Sequence, residues 1–263
     1  MIHFGEGSHV QRLVTVLSFV GEYPTRSLYL LGSERVIKAL VHKLLSPQIF
    51  RNDSTGEELT CRLLSITGKG AVKTIRFYKP ALPILHWIHP DAYEYYMNSF
   101  WNHKFPGDQA HRQRHHRVAE SAVVSMRAGI EVRPYLLPAL QNQEIKTVVP
   151  LKSVLYLAKD VKKVGGEEMN KTMFTRMTGI IFSEGGCYAL YNTRNAVMKW
   201  RGMDEFKAMH DIRDIARMNA GTEEVRSAVL IGEDEEIALK TVQESEQNRR
   251  HEFRFDGIYR HIH

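Results

Sequence analysis

Apolar side chains recur at helical spacing three times near the start of the chain. The spacing predicts a helix over residues 10–20, a short helix over residues 25–31 and a third helix over residues 34–45. Gly21 and Pro24 separate the first helix from the second, because neither residue favours continuing a helix. The sequence therefore begins with three short helices in close succession.

The third predicted helix has two sides of opposite character. Its apolar residues share one side, which we expect to face a core, and they are Val36, Ile37, Leu40, Val41 and Leu44. The other side carries Arg35, Lys38, His42 and Lys43. We therefore expect a basic outer face on this helix.

After the third helix the pattern becomes typical of paired strands. Apolar residues alternate over residues 59–63, and residues 72–78 are rich in β-branched and aromatic side chains. Residues 67–70 read Thr-Gly-Lys-Gly, a composition typical of a turn. The sequence predicts a hairpin that joins these two strands.

Three helices followed by a hairpin is the layout of a winged helix, in which the third helix enters the major groove of DNA and the hairpin touches the backbone. On this interpretation Lys69, Lys73 and Arg76 lie near phosphates. A solvated helix face on a protein-interaction module is the alternative.

Further along, the chain predicts a helical bridge and then a second domain. Pro83 and Pro90 interrupt an apolar region over residues 81–107, and Asp108 can cap a long helix that runs to about residue 128. Later strands are expected over residues 154–158, 178–183, 187–193 and 225–231, and helices over residues 203–219 and 235–243. This order of elements is α+β and resembles restriction-endonuclease-like folds.

Such nucleases hold Mg²⁺ with an acid on one strand and an acid-x-lysine motif on the next. The strand over residues 187–193 carries no carboxylate, while Glu184 falls in a turn and Asp204 and Glu205 begin a helix. We therefore expect a domain that has lost the nuclease chemistry, with no catalytic residue, no bound metal and no cofactor.

Histidines and arginines cluster at the start of the long helix. The histidines are His103, His111, His115 and His116. Although two of them have ligand-compatible i,i+4 spacing, neither a following glutamate nor a nearby cysteine completes a metal site. Arg112 and Arg114 lie between them and Arg117 follows His116, so the three form a secondary basic patch. Phosphate contact, an ion-pair network with acids such as Glu120 and a solvated face are the alternatives for this patch.

The composition limits the class of protein. Apolar residues make up 43% of the chain, which excludes a disordered protein, and the net charge is +6. The first eighty residues hold 11 Lys or Arg against 6 Asp or Glu, so most of the positive excess lies there and favours a polyanionic partner. With two cysteines, no apolar run of about 18 residues and no secretory pattern, we expect a cytoplasmic protein without membrane contact.

Several sequence segments point to a known family. They are the run Lys73–Leu85, Phe-Pro-Gly-Asp at 105–108, His-Arg-Val-Ala-Glu at 116–120 and the run Gly185–Trp200. From about residue 10 to residue 244 the chain resembles the replication-relaxation (mobilisation accessory) family, in the version carried by conjugative transposons and plasmids of Gram-positive bacteria.

The resemblance implies a DNA-binding accessory protein of a mobile element, not an enzyme, which assists plasmid replication, relaxosome assembly or conjugative transfer. Its expected partners are double-stranded DNA and a relaxase or replication protein, and a homodimer would match paired half-sites. The implied domains are a winged helix over 1–80, a helical bridge over 81–107 and an inactive nuclease-like α/β domain over 108–263. The apolar pattern near His263 has no terminating signal, as expected of a fragment of a longer protein.

Two other functions remain open at this point. A metal-dependent DNA nuclease would need acids brought together from elsewhere in the chain. A protein-interaction scaffold would use the winged helix to dock a partner and would not bind DNA.

Overall fold

The computed structural model is a mixed α and β protein. It describes residues 4–5, 7–52, 54–100, 103, 105, 108–132, 153–164, 176–183, 186–197, 211–212, 225–247 and 260–261. Backbone contacts divide the chain into two compact units, Met1–Val123 and Val124–His263. The predicted boundary after residue 107 precedes this division, which falls within a long helix.

The first unit contains five α-helices, counting the helix that runs across the division, and five strands among its described residues. They are α1 (His9–Val20), β1 (Glu22–Pro24), α2 (Glu34–Leu44), β2 (Gln48–Arg51), β3 (Glu58–Cys61), β4 (Leu64–Thr67), β5 (Thr74–Phe77), α3 (Leu82–Ile88), α4 (Pro90–Ser99) and α5 (Gln109–Arg127). A 3₁₀ segment, Thr25–Leu31, lies between β1 and α2. The three predicted N-terminal helical segments are therefore confirmed, the second of them as a 3₁₀ helix.

The strands of the first unit form two antiparallel sheets. One has the order β1-β5-β4, so the first strand of the chain pairs with the last strand of the unit. The other is the two-stranded hairpin of β2 and β3. The predicted hairpin turn over residues 67–70 lies between β4 and β5, as expected.

Helix α1 begins and ends at residues suited to those positions. The Ser8 hydroxyl accepts a hydrogen bond from the Gln11 backbone amide at 3.2 Å, which satisfies one of the free donors at the helix start. At the other end Gly21 has a φ of 76° and its amide bonds to the Leu17 carbonyl. Leu13 and Leu17 are completely buried, so this helix supplies part of the core.

Two details of the sequence prediction for this unit are wrong. Val36 is 46% exposed rather than buried and Leu40 is only partly buried, so the fully buried residues of α2 are Ile37, Val41 and Leu44. The segment over residues 59–61 belongs to β3 and pairs with β2, so the partner of β5 is β4 instead.

The second unit is built on one mixed sheet. It contains β6 (Glu131–Val132), β7 (Val154–Leu157), β8 (Met177–Ser183), β9 (Gly186–Arg194), β10 (Val225–Gly232) and β11 (Arg260–His261), with helices α6 (Ala158–Val164) and α7 (Glu235–Gln247). The strands are neighbours in chain order, and β8 runs antiparallel to both β7 and β9, while β10 is parallel to β9. Nearly every residue of β8 and β9 is buried, as expected of central strands covered on both faces.

The predicted strands over 154–158, 178–183, 187–193 and 225–231 and the final helix over 235–243 are confirmed. The predicted helix over 203–219 lies largely outside the described residues, as do Glu184, Asp204, Glu205 and most of the apolar segment near His263. No helix within the described ranges combines the length and the hydropathy needed to cross a membrane.

Candidate nucleic-acid interface

The outward side of α2 carries three exposed basic side chains. Arg35, His42 and Lys43 are all exposed, whereas the side of the helix that contacts the core carries Ile37, Val41 and Leu44. At roughly 100° per residue, Ala39 lies about 140–160° from each buried residue and marks the middle of the outward side. Arg35 is one turn before it, and His42 and Lys43 are one turn after it. We call these four residues, together with Val36, the outer face of α2.

Lys38, the fourth basic residue predicted for this helix, occupies a different position. Its Nζ lies 2.5 Å from a carboxylate oxygen of Glu34, an i,i+4 pair in which both side chains are more than half exposed. Around the helix axis it lies on the flank between the outer face and the core. No acidic side chain forms an ion pair with Arg35 or Lys43 within the part of the chain that the structure describes. Lys38 is therefore partly neutralised, and Arg35 and Lys43 keep their full charge.

The β4–β5 hairpin brings two more lysines to the surface of the unit. Lys69 and Lys73 are exposed, and both belong to the turn between the strands. The turn is fixed at its base, where the hydroxyls of Thr67 and Thr74 are 3.0 Å apart. The backbone amide and the hydroxyl of Thr25 both donate to the Lys73 carbonyl, at 3.0 and 3.2 Å. Thr25 thus ties the turn to the 3₁₀ segment.

Arg112 from α5 packs against the same turn. Gly68 has a φ of 75°, and a Cβ on this residue would lie 2.9 Å from Nη1 of Arg112 and would overlap with the Val72 carbonyl. The guanidinium therefore covers the glycine closely. Arg112 acts here as a support for the turn and is only partly accessible, in contrast to the open basic patch that the sequence suggests.

Arg76, which the sequence places near phosphates, faces a buried carboxylate. Arg76 on β5 is paired in register with Glu22 on β1, and Nη1 lies 3.9 Å from a Glu22 oxygen. The Arg76 guanidinium also lies over the Phe105 ring, 5.2 Å from its centroid. Its side chain is 26% exposed, so most of it is committed to contacts inside the unit.

Glu22 itself is 1% exposed, and neither carboxylate oxygen has a hydrogen-bond partner among the described residues. Burial raises the pKa of Glu22, and the positive charges of Arg112 and Arg76 offset part of that rise. We call Glu22, Arg76 and Arg112 the Glu22 cluster. The sequence pattern does not predict this cluster. The only sequence signal is an acidic residue placed between apolar Val20 and Tyr23 in a short strand.

A tyrosine and a histidine lie in the electrostatic field of this cluster. The Tyr96 hydroxyl is 2.6 Å from Nδ1 of His103, and burial raises the pKa of Tyr96. Burial and the nearby positive charge of Arg76 lower the pKa of His103 to about 4. Its imidazole is therefore neutral at neutral pH and contributes no positive charge to the surface.

The other three histidines of the predicted cluster lie in different environments. His111 is exposed and contacts the Asp108 carboxylate, which also accepts from the His111 backbone amide at 2.9 Å and caps α5 as expected. His115 is partly exposed and His116 is completely buried. No group of three His, Cys, Asp or Glu side chains suited to a metal ion occurs within the described residues.

The remaining two arginines of the secondary patch differ in solvent exposure. Arg114 is exposed, whereas Arg117 is only partly exposed. Glu120, one turn after Arg117, is buried and accepts a hydrogen bond of 2.5 Å from the Ser27 hydroxyl. This side of α5 therefore packs against the 3₁₀ segment, and Arg114 is the most accessible of the three arginines.

In the second unit the central strands carry no acid. Neither β8, with the sequence MTGIIFS, nor β9, with the sequence GCYALYNTR, contains Asp or Glu. Cys187 in β9 is completely buried, and burial raises the pKa of its thiol to about 12. A thiol with so high a pKa is present almost entirely in its protonated, unreactive form at neutral pH.

Comparison of the chain with protein-family models, with curated proteins and with solved structures gives no significant match in any of the three.

Proposed function

We propose that the protein is a non-enzymatic DNA-binding protein whose first unit is a winged helix that binds duplex DNA. On this proposal the outer face of α2 enters the major groove, and Lys69 and Lys73 contact phosphates from the β4–β5 turn. Arg112 then supports that turn, and Arg76 makes its contacts with Glu22 and Phe105 inside the unit.

The order of elements supports a winged helix. A helix, a short strand, a second helical segment and α2 precede a hairpin, and the short strand β1 completes a three-stranded sheet by pairing with β5. The β2–β3 hairpin is an addition to this plan, placed between α2 and β4. In a winged helix the third helical segment is the one that reads DNA.

The observation that carries the proposal is the accessibility of Arg35, His42 and Lys43 on the side of α2 opposite the core. A helix of this width fits the major groove, and phosphates on either side of the groove attract cations that no neighbouring carboxylate neutralises. A solvated helix face would be expected to mix acidic and basic residues, and Glu34 at the helix start is the one acidic residue of α2.

The proposal is tested by fluorescence anisotropy with random-sequence duplexes over a series of salt concentrations. The wild-type protein should bind with a log–log salt slope set by the number of phosphates it contacts. An Arg35→Ala/Lys43→Ala variant should bind more weakly, with a slope reduced by about two units if both residues contact phosphates.

Lys79→Ala and Lys38→Ala are the matched controls, because Lys79 is exposed outside the proposed interface and Lys38 is paired with Glu34. Both should keep the wild-type slope to within about half a unit. Equal binding by the double variant and the wild type at every salt concentration would remove α2 from the interface. Absence of duplex binding at low salt would favour the scaffold function.

We further propose that the DNA bound is that of a mobile element, and that the protein assists its replication machinery or relaxase. This step rests on the resemblance to the replication-relaxation family. On this proposal the second unit is a nuclease-like domain without its metal ligands, and strands β8 and β9 contain neither Asp nor Glu. Incubation of plasmid with Mg²⁺ or Mn²⁺ tests this, since cutting that a chelator abolishes would identify an active nuclease.

A further inference from the structure

The outer face of α2 has an apolar centre as well as a basic border. Val36 is 46% exposed although it is a β-branched apolar residue, and it lies in the first turn of α2. Ala39, one turn later, is also exposed. Residues at i and i+3 are neighbours on a helix surface, so Val36 and Ala39 form one small apolar strip.

Basic side chains border this strip at both ends. Arg35 precedes Val36, while His42 and Lys43 follow Ala39 by one turn. The border gives the strip a positive field, which would repel a basic partner and attracts a polyanion. A polyanionic partner that also presents apolar groups at its surface therefore fits the strip better than an acidic protein surface does.

Among the groups that duplex DNA presents in its major groove, the apolar one is the C5 methyl of thymine. The phosphate backbone has no apolar group. We propose that Val36, with Ala39, contacts thymine methyls in the major groove and makes the protein prefer sites that contain thymine at one or two fixed positions. This inference rests on the proposed function, because it assumes that α2 enters the groove.

The size of the effect follows from the area involved. Removing one methyl from water contributes about 0.8 kcal/mol, which corresponds to about a four-fold change in affinity. Replacing thymine by deoxyuridine deletes only this methyl and leaves the hydrogen-bonding groups of the base pair unchanged. The substitution therefore isolates the apolar contact from the electrostatic ones.

The test starts from duplexes that wild-type protein enriches from a random-sequence pool. Each thymine of the best enriched duplex is replaced in turn by deoxyuridine, and dissociation constants are measured for wild type, Val36→Ala and Val36→Thr. Val36→Thr preserves the shape of the side chain but replaces one methyl by a hydroxyl. Ile49→Ala is the control, since Ile49 is 44% exposed on β2, outside the proposed interface.

We expect wild type and Ile49→Ala to lose about four-fold in affinity at one or two thymine positions. At the same positions Val36→Ala and Val36→Thr should lose less than about two-fold, because their contact with the methyl is already reduced. Such a double-mutant cycle measures the coupling between one side chain, Val36, and one thymine methyl group.

Two results would overturn the inference while leaving DNA binding intact. One is wild-type binding that deoxyuridine leaves unchanged at every position. The other is a loss at thymine positions that is equally large in wild type and in both Val36 variants. If no duplex is bound at low salt, the proposed function fails, and the methyl contact fails with it.

Discussion

Glu22 on β1 and Arg76 on β5 face each other across an antiparallel strand pair, with 3.9 Å between the nearest charged atoms and almost no water in contact with the carboxylate. The separation is longer than that of a hydrogen-bonded ion pair, so the arginine attracts the carboxylate without satisfying its oxygens. Burying an ionised carboxylate whose oxygens accept no hydrogen bond lowers the free energy of unfolding, because its lost hydration is not fully replaced. Its ionisation should therefore affect the pH dependence of folding.

The first prediction concerns Glu22. Because burial raises its pKa above 4.5 in the folded protein, the protonated form is favoured there more than in the unfolded chain. The stabilising contribution of protonated Glu22 is fully present below the unfolded pKa and is lost as pH rises through the folded pKa. Relative to Glu22→Gln, which does not titrate, wild type should lose stability over this window.

Urea unfolding of both proteins at a series of pH values from about 4 to neutral measures this difference. Subtracting the two curves removes the titrations that the proteins share. Parallel curves across the whole range would show that Arg76 and Arg112 compensate fully for the burial of the carboxylate.

The second prediction concerns His103, whose shift has the opposite effect on stability. Its pKa is lowered from 6.5 to about 4, so its contribution to stability is present above 6.5 and is lost as pH falls towards 4. Nitrogen-detected NMR of the imidazoles should show one histidine that stays neutral down to about pH 5. The signal should be absent from His103→Gln, and a titration midpoint near 6.5 would contradict the burial of this side chain.

The third prediction compares two glycines of the β4–β5 turn. Gly68 and Gly70 both have positive φ, 75° and 55°, but only a Cβ on Gly68 would meet other atoms. Gly70→Ala should cost about 1–2 kcal/mol from backbone strain alone. Gly68→Ala should cost about 1–3 kcal/mol more, because the Val72 carbonyl and the Arg112 guanidinium must move.

Chemical denaturation measures both costs, and Gly70→Ala is the matched control for positive φ. If the Arg112 guanidinium supports the turn, Gly68→Ala should also weaken duplex binding more than Gly70→Ala does. Equal unfolding free energies for the two variants would mean that the Val72 carbonyl and the Arg112 guanidinium can move away from a Cβ on residue 68 at no measurable cost.

The fourth prediction concerns the two thiols. Cys187 is completely buried in β9, whereas Cys61 in β3 is partly exposed, and burial raises the pKa of both. A maleimide reagent should label Cys61 in the native protein and should label Cys187 only when the second unit opens. In a Cys61→Ser variant, labelling of Cys187 should be slower than in denaturant by a factor of about 10³ or more.

The measurement is the time course of mass increase with and without urea. Comparable rates in the two conditions would show that β9 is accessible in the native protein.

The sequence predicts α1, α2, the β4–β5 turn and strands β7 to β10 correctly, because each depends on local periodicity or on turn residues, but it does not predict β6, α6 or β11. Val36 shows the limit of that reasoning. It lies about 100° from Ile37 around the helix, and whether such a flanking position is buried depends on the width of the neighbouring surface. The width of the neighbouring surface cannot be read from the pattern of apolar residues in the sequence.

The Glu22 cluster could not be predicted for a related reason. Arg112 is far from Glu22 in sequence, and the burial of the carboxylate results from packing between elements that are separated along the chain. The pairing of β3 with β2 is similar, since the alternation over residues 59–63 fits either partner.

For the proposed interface, the sequence identified Arg35, His42 and Lys43 as outward-facing, and the structure places all three at the surface.

The chain-order arrangement of the sheet in the second unit has a consequence for biosynthesis. Each strand from β7 to β11 pairs with the described strand that precedes it, and no strand among the described residues inserts between two that are already joined. As the polypeptide leaves the ribosome, each newly emerged strand can add to a free edge of the sheet formed so far, without waiting for a distant segment to be translated. Shortening this unit strand by strand from its C-terminal edge should therefore remove pairings one at a time rather than disrupt the middle of the sheet.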